Sequence, residues 1–211
     1  NLAVVYQEGD QIDTAEAYFR KALEVAPGSA EANIGLASIL MNRGDAAEAF
    51  THFKIALEEQ PHSDRANAGL ALIYARRGEI EVALSHFKLA LNPDPARAAP
   101  TLVGTKRASL AERYARILAT HPEEQYRNGD EALRYAQEAV DITRTRSIIC
   151  MDTLAAAYAE LGQFQDAMRT AEEAVQRAKL NNKFDTAGSL LEHIELYDQQ
   201  KPLRERPEET W

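Results

Sequence analysis

Residues 30–97 are two consecutive 34-residue stretches that match position for position, and nothing else in the chain limits its fold so tightly. The first reads Asn33-x2-Leu36-Ala37-x2-Leu40, Gly44, Ala49-x3-Phe53, Ala56 and Pro61. The second reads Asn67-x2-Leu70-Ala71-x2-Tyr74, Gly78, Ala83-x3-Phe87, Ala90 and Pro95. A fixed period of this length means that each stretch is one supersecondary unit, and stacked neighbours bury an apolar face that neither could cover alone. Within a unit, Leu36, Ala37 and Leu40 share one face of a first helix. Gly44 and Gly78 fall where that helix ends and the chain turns through positive φ. Asp45 and Glu79 open a second helix, where negative charge meets the positive end of the helix dipole. Ala49 and Ala83 are its small contacts and Phe53 and Phe87 its large ones, until Pro61 and Pro95 stop it.

The same template places the rest of the chain. Residues 1–29 form a truncated unit, with Leu2, Ala3 and Tyr6 in its first helix and Ala15, Phe19, Ala22, Leu23 and Pro27 in its second. Asn92-Pro93-Asp94-Pro95 and Pro100 mark an irregular connection. Leu110-Ala111-x2-Tyr114 restores the pattern in a helix over 102–119, but its partner is delayed by an inserted loop, 120–128. Ala132, Ala136, Ala139 and Val140 then supply the apolar face, with Ala136 where other units have Phe. The fifth unit carries Leu154-Ala155-x2-Tyr158, Gly162, Ala167-x3-Ala171 and Ala174-Val175. A final amphipathic helix, with Leu190, Leu191, Ile194 and Tyr197 on one face, covers the exposed end of the stack. The chain is thus expected to be all-α, with units 1–29, 30–63, 64–97, 98–147 and 148–181, a capping helix 183–199 and a mobile tail 200–211.

Residues 1–180 resemble tetratricopeptide repeats, most closely over 30–97 and 148–180. One departure is that the large residue, often Trp, that opens the first helix of the family's unit is Asn33 or Asn67 here, read as a partly exposed polar residue. The segments Ile117–Pro122, Asn128–Ala132 and Asp152–Glu160 resemble the carboxy-terminal repeats of bacterial multi-repeat proteins, where such a degenerate pair ends the array. The resemblance implies a right-handed α-solenoid and a non-catalytic scaffold that binds a peptide or helix of a partner protein in a concave groove. It places groove positions at Ile34, Gly35, Ser38, Met41 and Asn42, and at Ala68, Gly69, Leu72, Ala75 and Arg76. Further along they are Ala108, Ser109, Glu112, Ala115 and Arg116, then Asp152, Thr153, Ala156 and Glu160. The binding set drawn from these is Ile34, Ser38, Met41, Asn42, Ala68, Leu72, Ala75, Arg76, Glu112 and Arg116. The basic clamp of chaperone-tail binders is not matched, because Ile34, Ser38, Ala68 and Leu72 fill its places, nor is the asparagine ladder of sugar-transferase solenoids, whose positions are Gly35 and Gly69 here.

Composition narrows the partners. A net charge of −9 without a basic block argues against nucleic acid, and no apolar run reaches the roughly 18 residues that span a bilayer. The one cysteine, Cys150, permits no internal disulfide. His52 and His86 are equivalent positions of consecutive units; as a metal pair they lack a third ligand, so they read as partly exposed surface residues. Neither a phosphate loop nor a catalytic carboxylate pair is legible, so no cofactor and no enzymatic activity are expected. The chain opens at Asn1 inside a helix, which carries two further expectations. It reads as the carboxy-terminal repeat region of a larger enzyme such as a glycosyltransferase, or as a scaffold prone to self-association through its truncated first unit. The pattern leaves the cytoplasm and periplasm equally open.

Overall fold

The computed structural model describes residues 12–92, 101–144 and 146–206. Among these there are ten α-helices and one short 3-10 turn. They form two compact units, 1–102 and 103–211. The expected first helix of the truncated unit and the irregular 93–100 connection lie outside the described residues.

In the first unit, α1 (Ile12–Val25), α2 (Ala30–Arg43), α3 (Ala46–Glu59), α4 (Asp64–Arg76) and α5 (Ile80–Leu91) follow the expected hairpins. Ser29 and Ser63 cap α2 and α4, their hydroxyls accepting the Ala32 and Ala66 N–H groups. Gly44 and Gly78 turn each hairpin at φ 90° and 73°, a conformation costly for any residue with a Cβ. Ala37, Ala49, Ala71 and Ala83 are fully buried where helices meet.

The contact between hairpins is more specific than alternating small and large residues. A Cβ built on Gly35 would lie 2.2 Å from the Phe19 ring, and one on Gly69 would lie 2.3 Å from the Phe53 ring. The Phe19 and Phe53 rings, 34 residues apart, therefore press against the bare backbone of the next first helix. Gly35 and Gly69 were expected to line a groove; they are instead the sockets that let hairpins close on one another. Asp64 performs a different closure. Its buried carboxylate accepts the Thr101 and Leu102 N–H groups at 2.5 and 2.9 Å, and the Thr101 hydroxyl, tying the end of the unit to the start of α4.

The second unit contains α6 (Gly104–Thr120), α7 (Gly129–Thr143), α8 (Ile148–Glu160), α9 (Phe164–Leu180) and α10 (Phe184–Asp198). The insert after α6 is folded back rather than extended: Asn128 N–H donates to Leu118 O, and the buried His121 ring meets Tyr126 edge-on. The place left small by Ala136 is filled from the neighbouring position. Tyr135 is fully buried and packs T-shaped on Tyr114, whose hydroxyl donates to Glu131. The capping helix α10 packs on α9. Residues 201–206, expected as part of a mobile tail, return along α6. Leu203 is buried, Glu205 N–H donates to Thr120 O at 2.9 Å, and Arg204 pairs with Glu160 at 2.8 Å. Charged residues in such a segment read as solvated; here two of them find half-buried partners on α6 and α8.

Candidate functional site

In the first unit the helix faces carrying the expected groove residues are only partly open. Ile34, Ala68 and Ala75 are buried, Ile34 as a member of the apolar core. Ser38, Met41 and Leu72 are half-buried, and Asn42 and Arg76 are exposed. Ser38 spends its hydroxyl proton on Ile34 O at 2.7 Å.

Asn33 and Asn67 correct the expectation of partly exposed polar residues. Each is 1 % exposed and clamps its own hairpin. Asn33 Nδ2 donates to Pro27 O and Ser29 O, leaving Oδ1 to accept from His52 Nδ1 at 2.7 Å. Asn67 repeats this with Ser63 O and with His86 Nδ1 at 2.8 Å. Because the amide nitrogens are committed to carbonyls, both imidazoles carry their proton on Nδ1. The two histidines thus bind separate asparagines, and His86 also stacks on Tyr74 with ring centroids 5.4 Å apart. Among the described residues no group of three side chains is arranged to hold a metal ion.

Burial lowers the affinity of both imidazoles for a second proton, and for His52 this outweighs the nearby Glu48 carboxylate. A histidine whose folded-state pKa is depressed stabilises the fold above its unfolded value of about 6.5 and loses that stability as pH falls through this region. The denaturant midpoint should therefore drop between about pH 7 and 5, and drop less in a His52→Gln/His86→Gln variant. His193 in the second unit has the opposite sign. Burial would lower its pKa, but the hydrogen bond and charge of Asp152 raise it overall, so its contribution is complete at low pH and fades on alkalinisation.

The second unit holds a cleft of about 520 Å³. Its walls are α6, through Ala108, Ser109, Glu112 and Arg116, the start of α8, through Ile148, Ile149, Cys150 and Asp152, and α10, through Thr186, Ser189, Leu190 and His193. Four of these, Ala108, Ser109, Glu112 and Arg116, are positions that the repeat pattern placed in a groove, and Asp152 is a fifth. The α10 residues were not assigned, because the capping helix has no second copy from which to read its register.

A half-buried ion network braces this cleft. Arg116 Nη1 donates to Asp152 Oδ2 at 2.6 Å, while its Nε and Nη2 hold both oxygens of Glu205 at 2.7 and 2.9 Å. His193 Nδ1 lies 2.8 Å from Asp152 Oδ1. Burial would raise the Asp152 pKa, yet Arg116 and His193 hold it below the usual carboxylate range. Arg116 was expected as a free anchor for a ligand; its donors are instead shared between two carboxylates of the same unit. Glu112 differs. It is 9 % exposed, and Thr153 Oγ1 donates to its Oε1 at 2.7 Å. Its Oε2 has no hydrogen bond among the described residues, and burial pushes the carboxyl pKa up despite Thr153 and Arg116. The thiol of Cys150, on the same wall, is also raised by burial, which disfavours a nucleophilic thiolate.

Family profiles described as tetratricopeptide repeat match residues 1–64, 40–103 and 148–180. The chain is a tetratricopeptide-repeat protein. Its all-helical architecture is shared with solved structures at low identity. The crystal structure of YrrB, described as a tetratricopeptide-repeat protein with an unusual peptide-binding site, is 19% identical with a TM-score of 0.64, covering 90% of this chain and 87% of that one. Pseudomonas aeruginosa pilF is 17% identical with a TM-score of 0.60, covering 94% and 88%. MamA is 17% identical with a TM-score of 0.59, covering 87% and 98%. No curated protein sequence matches the chain. Among the described residues no helix is long and apolar enough to cross a membrane.

Proposed function

We propose that this tetratricopeptide-repeat protein is a scaffold that binds a peptide segment of a partner protein, with the cleft of the second unit as its main recognition site. The supporting observation is that the cleft lies on the helix faces where the repeat pattern expects a groove, with apolar walls and a few convergent polar groups. YrrB, a structural relative, carries a peptide-binding site by its own description. Ser38, Met41, Asn42, Leu72 and Arg76 offer a second contact surface, on the first unit. The partner is a protein, and the net charge of −9 disfavours nucleic acid.

The test is a panel of peptides selected from a random displayed library on the intact chain. Ser109 is exposed on the cleft wall, so Ser109→Trp fills the cleft without entering the core. Selected peptides should bind this variant at least about tenfold more weakly, a difference of roughly 1.4 kcal/mol. Equal binding to both proteins would move the site elsewhere, and Leu72→Arg would then test the first unit.

A further inference from the structure

We infer that the cleft accepts a lysine side chain of the bound segment, with its ammonium on Oε2 of Glu112 and its stem along Ile148 and Leu190. This rests on the peptide-scaffold reading and adds the chemistry of the contact.

Glu112 is the one acid on the cleft wall with an oxygen left over. Asp152 gives one oxygen to Arg116 and the other to His193, whereas Glu112 uses only Oε1, for Thr153. A carboxylate buried to this degree is costly unless a donor or a cation meets it. The raised proton affinity of Glu112 reports that cost, and an ammonium at Oε2 would remove it. The other titratable groups facing it are Arg113 and Arg116 of α6, Cys150 and Asp152 of α8, and His193 of α10. Arg116 has its charge balanced by Asp152 and Glu205. Asp152 is likewise occupied by Arg116 and His193, so Glu112 is the acid of the cleft wall whose carboxylate retains an oxygen for a cation.

The geometry of the acceptor selects lysine over arginine. A guanidinium fork binds best to both oxygens of a carboxylate, and Thr153 already holds one of them. An ammonium is a compact point charge that a single oxygen can receive. Its four-carbon stem needs an apolar channel, which Ala108, Ile148 and Leu190 supply between α6, α8 and α10.

The experiment pans a random displayed peptide library against the intact chain and measures the enriched peptides by titration calorimetry. The expected result is a lysine at one fixed position. Its replacement by norleucine should weaken binding to the wild type by about tenfold or more, and by much less in Glu112→Gln, which keeps the Thr153 bond. Enrichment of acidic or uncharged residues by peptides that Ser109→Trp still abolishes would overturn the lysine assignment and leave the cleft reading standing. Peptides indifferent to Ser109→Trp, or no enrichment at all, would overturn both. If Glu112→Gln does not fold, the lysine and norleucine peptides are compared on the wild type as pH is lowered from neutrality through the ordinary carboxylate range, since burial moves the Glu112 carboxyl upward from it. Their affinities should converge as Glu112 takes up a proton, and a constant difference would overturn the assignment.

Discussion

Replacing Arg116 by alanine is expected to destabilise the second unit by up to about 3–5 kcal/mol, the cost of leaving largely buried charges without their partner. The guanidinium holds three oxygens from two carboxylates, and its own side chain is only 14% exposed. Removing it strands Asp152 and Glu205 in surroundings poor in water, with His193 as the remaining cation beside Asp152. Arg116→Lys should fall between the two, since it restores the charge but cannot serve both carboxylates with a planar fork. Urea unfolding followed by circular dichroism would measure the series. Its pH dependence carries a second check. Asp152 has a depressed folded-state pKa, so in the wild type its stabilisation is present above the unfolded value of about 3.9 and is lost as pH falls through the folded one. Alanine at 116 removes the main cause of that depression, so the gap between wild type and variant should narrow on acidification.

The network also shows where reading the sequence stops. The fold was legible because a repeat supplies its own control: Leu36 and Leu70, or Gly44 and Gly78, occur 34 residues apart and can be checked against each other. Equivalence of positions does not reveal which way they face, however. Gly35 and Gly69 were equivalent and small, which suits a groove and a socket equally well, and only the Phe19 and Phe53 rings decide for the socket. The Asn33–His52 and Asn67–His86 pairs were open to inspection, both 19 residues apart. They were missed because the tetratricopeptide pattern expects a large residue where the asparagines stand, and polar residues near a helix start suggest solvent. Tyr135 escaped because the aromatic side chain of its helix had moved by one position from the place of Phe53 and Phe87. The cleft was half legible. Its α6 and α8 walls follow the repeat, while Thr186, Ser189 and His193 come from a helix that occurs once, and Glu205 comes from a segment that composition alone assigns to solvent.

The socket between hairpins is testable as a pair. Phe53→Ala should cost about 3–5 kcal/mol, because a ring that is 3 % exposed leaves a cavity which two packed helices can close only in part. Gly69→Ala sets two effects against each other. Alanine is favoured over glycine in a helix interior by about 1 kcal/mol. Against that, the new methyl would lie 2.3 Å from ring carbons of Phe53, and overpacking of this kind costs about 1–3 kcal/mol. The contact is with the body of a buried ring rather than the tip of a flexible chain, so the steric cost should prevail and the variant should be less stable. The decisive quantity is the coupling. In Phe53→Ala/Gly69→Ala the added methyl enters the space that the ring has left, so the double variant should be more stable than the sum of the single effects by about 0.5–3 kcal/mol. Phe19 and Gly35 should return a coupling of the same sign, since the same geometry recurs one period earlier. Simple additivity at both sites would mean that the rings slip aside without cost, and the bare backbone at these glycines would then have no part in holding successive hairpins together.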